Sequence, residues 1–150
     1  ELSADGRAAS HRGVTGEELH GGLLGDGPLQ RGEHGWYFEV EISRVRQQTD
    51  DGMAIGVTTC GPADLPEVPQ TLDELDPSWL LGFEGSQWDG AQLLWSPDPW
   101  RPSELCKGDR VGALVTLEGK LLILVNGSAV TQGTFSVPLD RPLFAAVDLL

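Results

Sequence analysis

The sequence is short of cysteine, of long apolar runs and of signal-like segments, and each shortage excludes a class of protein. Its 150 residues hold two cysteines, Cys60 and Cys106, which cannot form a disulfide framework and lack the paired C-x-x-C spacing of a zinc site. We expect reduced thiols in a cytosolic or nuclear protein, with the cytoplasm as the predicted location. No apolar run approaches the roughly 20 residues of a membrane span. The chain opens with E-L-S-A-D and not with a basic and then apolar signal segment.

Basic residues are also scarce, which restricts the partners. Ten Lys and Arg stand against 23 Asp and Glu, and the formal net charge is -13. A phosphate backbone or an anionic lipid surface would be repelled, so nucleic acid and direct membrane binding are not expected. A protein or peptide that is basic or neutral is the favoured partner. The oligomeric state stays open.

Residues that could carry catalysis, a metal or a cofactor are present without the necessary spacing. His11, His20 and His34 do not show metal-ligand spacing, and neither a G-x-S-x-G elbow nor a phosphate-binding loop occurs. The pair Asp50-Asp51 and the acidic run Asp73 to Asp76 could supply two carboxylates for glycoside hydrolysis. Both lie among Gly and Pro, where exposed acids are typical of turns. The prediction is no catalytic residue, no metal and no cofactor.

The stretch from Gly108 to Gly127 predicts three strands in a meander. Val111, Ala113 and Val115 alternate with other residues, whereas Leu121 to Val125 is apolar without a break, which predicts a second strand buried on both faces. Glu118-Gly119 marks the first reversal. Asn126-Gly127 marks the second and is the strongest short-range signal for a two-residue hairpin turn.

Two further segments predict strands, and no segment suits a helix of normal length. Trp36 to Ile42 alternates between apolar and polar residues, and Met53 to Thr58 supplies a strand that we expect to pair with it. The fold class predicted is all-β, an antiparallel two-sheet β-sandwich. The residues expected inside it are Phe38, Val40, Ile55, Val57, Val111, Leu122, Leu124, Phe144 and Val147.

The order of these pieces resembles a known family. The hairpin G-D-R-V-G…V-N-G is followed by P-L-F-A-A-V-D-L at 142–149. Upstream stand I-G-V-T-T at 55–59, T-L-D-E-L at 71–75, Trp79, and the opening L-S-A-D-G-R at 2–7. The ordered set is similar to the neuralized homology repeat, a β-sandwich related to the SPRY and concanavalin-like folds. Members usually carry additional segments before the position of Leu2 and after Leu150, so one domain over residues 1–150, truncated at both ends, is expected.

The resemblance implies a non-catalytic protein–protein interaction module. Such repeats often accompany a ubiquitin-ligase element, for which they select the substrate, and others serve as scaffolds. The two cysteines of this sequence cannot supply a RING, so the chain itself would not transfer ubiquitin. A lectin-like carbohydrate-binding sandwich is the alternative, and a purely structural sandwich is the third.

Two long segments, Gly61 to Pro77 and Gly85 to Pro102, are rich in turn residues and are expected to carry the partner-binding site as loops at one end of the sandwich. Loop tryptophans either anchor a partner or pin the loop to the sheet, and both alternatives stand for the second segment. The candidate residues are Trp88, Trp95 and Trp100 as apolar anchors, with Asp73, Glu74, Asp89 and Asp98 attracting a basic ligand. Trp36 and Trp79 are expected in the core.

Overall fold

The computed structural model describes residues 2–10, 21–45, 52–83, 85–90, 92–95 and 100–149. These residues form ten β-strands and three 3-10 turns, and none of them lies in an α-helix. The strands are β1 (Gly22–Pro28), β2 (Gly35–Glu41), β3 (Met53–Thr58), β4 (Ser78–Gly82), β5 (Ser86–Gly90), β6 (Gln92–Trp95), β7 (Arg110–Thr116), β8 (Leu121–Val125), β9 (Ser128–Gln132) and β10 (Phe144–Leu149). The 3-10 turns are Pro62–Asp64, Leu72–Glu74 and Pro102–Glu104.

The strands form two antiparallel sheets packed face to face. One sheet has six strands in the order β1-β10-β3-β4-β5-β6, and the other has four in the order β2-β7-β8-β9. Every strand pair within the two sheets is antiparallel. The predicted antiparallel two-sheet β-sandwich is confirmed.

The core lies between the sheets because each sheet turns one apolar face inward. From β7, Val111 and Val115 are fully buried, and from β3, Ile55 and Val57 meet them across the interface. Burying such a side chain is worth roughly 1.5–3 kcal/mol before the entropy of ordering it is counted. Trp79 also belongs to this core and is buried, as predicted, whereas Trp36 is only half-buried and packs against the border of the core.

The meander β7-β8-β9 and its second turn are as predicted. Asn126 has a φ of 51° and Gly127 a φ of 80°, so both central residues of the turn have the positive φ of a type I′ hairpin. The side chain of Asn126 adds local support, since its Oδ1 accepts the Arg110 backbone N–H at 3.0 Å and its Nδ2 donates to Asp109 at 2.9 Å.

The prediction that β8 is buried on both faces is wrong. Leu121 and Ile123 are fully buried, whereas Leu122 and Leu124 are half-buried on the outer face of the four-stranded sheet. Pairing with β7 sets this alternation, because Ala113, whose side chain is in the core, lies opposite Ile123. Three further predicted core residues are also only half-buried: Phe38 and Val40 pack at the border of the core, and Phe144 lies beside Gly61.

The predicted pairing of β2 with β3 is also wrong. β2 pairs along its whole length with β7, and β3 lies between β10 and β4 in the other sheet. The polar face of β2, which carries Tyr37, Glu39 and Glu41, suits a sheet with one face in water. β3 is buried at every residue and therefore needs a central position with cover on both sides.

The prediction that the whole segment from Gly85 to Pro102 is a loop is wrong. Ser86 to Trp95 forms the hairpin β5–β6, with a tight turn after Asp89 in which Gly90 has a φ of 68°. The hairpin forms one margin of the six-stranded sheet, and β6 is its edge strand.

Candidate interaction surface

The segment that joins β3 to β4 folds over the outer face of the six-stranded sheet. Leu72 and Leu75 of this segment are buried, and they form a second apolar cluster with Ala54, Leu80 and Ala146 of the sheet. This cover explains why β3 and β4 are buried on both faces. The segment is a loop with two 3-10 turns, and it lies across the sheet in addition to spanning one end of the sandwich.

The buried carboxylate of Asp148 connects this loop to the sheet through a hydrogen bond. The Leu72 backbone N–H donates to Oδ2 of Asp148 at 2.7 Å, and Asp148 is fully buried. Among the described residues its second oxygen, Oδ1, has no hydrogen-bond partner. Burial raises the pKa of Asp148 to about 6, an effect that the Leu72 N–H opposes and the nearby charge of Asp73 increases.

The loop presents only negative charge to solvent. Residues 61–77 contain no Lys or Arg. All five acidic side chains of this segment are exposed, namely Asp64, Glu67, Asp73, Glu74 and Asp76. Leu72 and Leu75 are buried against the sheet, whereas the acids next to them in the chain are exposed to solvent.

Trp88 and Leu93 lie on the same outer face of the sheet that the acidic loop covers in part. Trp88 stands opposite Leu80 on β4 and opposite Leu93 on β6. It is half-buried and packs at the border of the loop cluster, whereas Leu93 is 40% exposed. We call the set of Trp88, Leu93, Asp73, Glu74 and Asp76 the Trp88 surface. It combines apolar area with exposed negative charge.

The other predicted site residues lie elsewhere. Asp89 faces the inner side of β5, where its Oδ1 accepts the Trp79 indole N–H at 3.1 Å. Trp100 is 7% exposed and belongs to the central core. Trp95 stands in β6 opposite Ser86, and Asp98 lies outside the described residues. The structure thus brings Trp88, Asp73 and Glu74 to one face and leaves Asp89 and Trp100 on the core side.

Two residues of this region, Leu93 and Asp148, are not among the predicted site residues. Leu93 has no signal in a segment whose turn residues predict a loop, whereas Asp76 belongs to the predicted acidic run Asp73 to Asp76. Asp148 had a usable signal: it is an acid within the apolar strand F-A-A-V-D-L, and period-2 alternation puts it on the same face as Ala146. An acid at a strand position flanked by buried residues indicates a partner from another segment.

The described residues show neither a metal site nor a helix that could span a membrane, and their two cysteines are free. Within the described ranges no three His, Cys, Asp or Glu come together in a way that could hold a metal ion. His11 and His20 lie outside those ranges. Cys60 and Cys106 are both free thiols, and burial raises the pKa of the Cys60 thiol. The described part of the chain contains no helix long and apolar enough to cross a membrane.

Comparison with known proteins agrees with this architecture. The family model described as Neuralized matches residues 1–150. Among solved structures, a crystal structure of a human SPRY domain is similar, with a TM-score of 0.52 and 20% sequence identity. The match covers 84% of this chain and 75% of that chain. At this identity the likeness concerns the fold.

Proposed function

This chain belongs to the Neuralized family, and we propose that it binds a basic segment of a partner protein on the Trp88 surface. Neuralized and SPRY domains are protein-interaction modules and in general are not catalytic. We take residues 1–150 as one such domain. Its role would be to recruit a substrate to a ubiquitin ligase or to assemble a scaffold, while other parts of the protein supply any transfer chemistry.

The position of Trp88 is the observation that carries this proposal. A tryptophan offers a large apolar area at small cost in rotamer entropy, which is why such residues often anchor interfaces. Trp88 is half-buried at the border of the loop cluster, so one part of its surface is fixed by packing and another part remains accessible. Packing therefore holds Trp88 in place before the partner arrives, and the exposed Leu93 adds apolar area beside it.

Electrostatics supports a basic partner. The acids of the loop are exposed on the same outer face of the sheet, and segment 61–77 contains no Lys or Arg that could neutralise them. Arg and Lys side chains can lay their aliphatic stems on apolar surface and keep their charge near a carboxylate. Screening by salt should therefore weaken binding.

Selection from a random peptide library on the immobilised domain tests the proposal. We expect the selected peptides to be rich in Arg and Lys. Trp88→Ala should weaken their binding by about 2 kcal/mol, the scale of an interface anchor. The control is Leu117→Ala, since Leu117 is an apolar residue, 40% exposed, that lies in the turn between β7 and β8 and outside the Trp88 surface.

Other outcomes contradict the proposal in distinct ways. If Trp88→Ala lowers the melting temperature and leaves peptide affinity unchanged, Trp88 only pins the loop and the binding surface lies elsewhere. If the domain selects no peptide but binds sugars on a glycan array, the carbohydrate alternative is correct.

A further inference from the structure

The edge strand β6 differs from the three other sheet edges. β1 ends in Pro28 and has a register shift against β10, β9 has a register shift against β8, and β2 carries charged side chains. Proline, irregular register and charge are the usual devices that stop a free edge from pairing with another chain. β6 has the sequence Q-L-L-W, without charge or proline, and pairs with β5 in regular register from Ser86 to Asp89. Within the described strand β6, the one such device is its short length of four residues.

One face of β6 packs against the core and the other face is exposed. Leu94 points inward and packs against the central core, while Leu93 on the alternate face is exposed beside Trp88. In the strand order of the described residues, β6 has a neighbour on one side only. No described strand pairs with the other side of β6, so a further strand would add there.

We propose that β6 is a docking edge, to which an extended segment of a partner protein with alternating apolar and basic residues adds as a further strand. This inference rests on the proposed function and specifies how the partner binds. Main-chain pairing with a sheet edge supplies affinity in such complexes, and alternate side chains supply specificity.

The chemistry of the two faces determines the partner's alternation. A residue that points inward would lie beside Leu94 at the margin of the core, so an apolar side chain fits there. A residue that points outward would share its face with Leu93, Trp88 and the acidic loop, so a Lys or Arg fits there. A second copy of this chain suits the edge poorly, because each copy has a net charge of -13.

A synthetic peptide of about eight residues with alternating Lys and Val is the probe. Its control is a block peptide of the same composition, four Lys followed by four Val, which has the same charge but no alternation. We expect the alternating peptide to bind at least about tenfold more tightly than the block peptide. Leu93→Lys should abolish that preference, and the equally exposed control Leu117→Lys should leave it unchanged.

N-methylation of the probe separates strand pairing from docking by side chains alone. One isomer is methylated at every Val and the other at every Lys, so each has one of its two backbone edges blocked. Strand addition predicts that one isomer binds like the parent and the other loses at least about tenfold. Equal binding by both isomers overturns the inference.

Two further outcomes separate this inference from the proposed function. If library peptides depend on Trp88 but the alternating peptide binds no better than the block peptide, strand addition is wrong and the Trp88 surface stands. If sedimentation of the domain alone shows a dimer that Leu93→Lys dissociates, the edge serves a second copy, and a basic partner strand is excluded.

Discussion

Replacing the buried Asp148 by Asn should remove a pH dependence of stability. Burial raises the pKa of Asp148 to about 6 from an ordinary value of 3.8. The folded state therefore holds this proton more tightly than the unfolded state does. The resulting stability is fully present below about pH 3.8 and is lost as the pH rises through about 6. The amide side chain of the Asp148→Asn variant would stay neutral throughout and could still accept the Leu72 N–H.

The size of the effect follows from the two pKa values. A shift of about two units corresponds to about 3 kcal/mol over the whole titration. About 1.4 kcal/mol of it falls between about pH 5 and pH 7.5. Relative to the wild type, Asp148→Asn should therefore gain about 1.4 kcal/mol between these two pH values.

Urea unfolding followed by tryptophan fluorescence at both pH values measures this gain. The comparison of two differences cancels the pH dependence that both proteins share. Asp26→Asn is the control, because Asp26 is an exposed acid on the neighbouring strand β1, and its gain should stay within about 0.5 kcal/mol. If Asp148→Asn shows no more gain than Asp26→Asn, Asp148 is not buried as a carboxylate, and the attachment of the loop needs another explanation.

Three other substitutions test the meander. Gly127→Val should lower the free energy of unfolding by more than about 1 kcal/mol, because a β-branched residue is strained at a φ of 80°; an unchanged urea midpoint would show a different turn. Ile123→Ala should cost about 2–5 kcal/mol and Leu124→Ala about 1 kcal/mol, since Ile123 is fully buried and Leu124 only half-buried. Equal losses in urea unfolding would mean that the burial of β8 has been assigned wrongly.

Local chemistry made part of the fold predictable. Asn126-Gly127 specifies its own turn, because both residues tolerate positive φ and few other pairs do. The alternation from Trp36 to Ile42 likewise identifies a strand with one wet face. In these cases the information lies within a few neighbouring residues, so the structure agrees with the prediction.

Non-local contacts decided what the sequence pattern could not. Along Leu121 to Val125 every residue is apolar, and only the pairing of β8 with β7 determines that Ile123 points inward and Leu124 outward. Similarly, Trp88 and Trp100 are both tryptophans in turn-rich sequence, yet Trp88 lies on the outer face and Trp100 in the core. The candidate site was therefore predicted in its residue types and its acidic loop, but not in the selection among the tryptophans.

The place of β10 has a consequence for how the protein folds. β10 is the last described strand in the chain, yet it lies between β1 and β3, and it is the one neighbour of β1 among the described strands. Because Leu23 pairs with Val147, β1 lacks this partner strand during synthesis until more than a hundred further residues have been made. Contacts so distant in sequence slow folding and leave an apolar strand exposed meanwhile. The nascent chain should therefore depend on chaperones until β10 emerges from the ribosome.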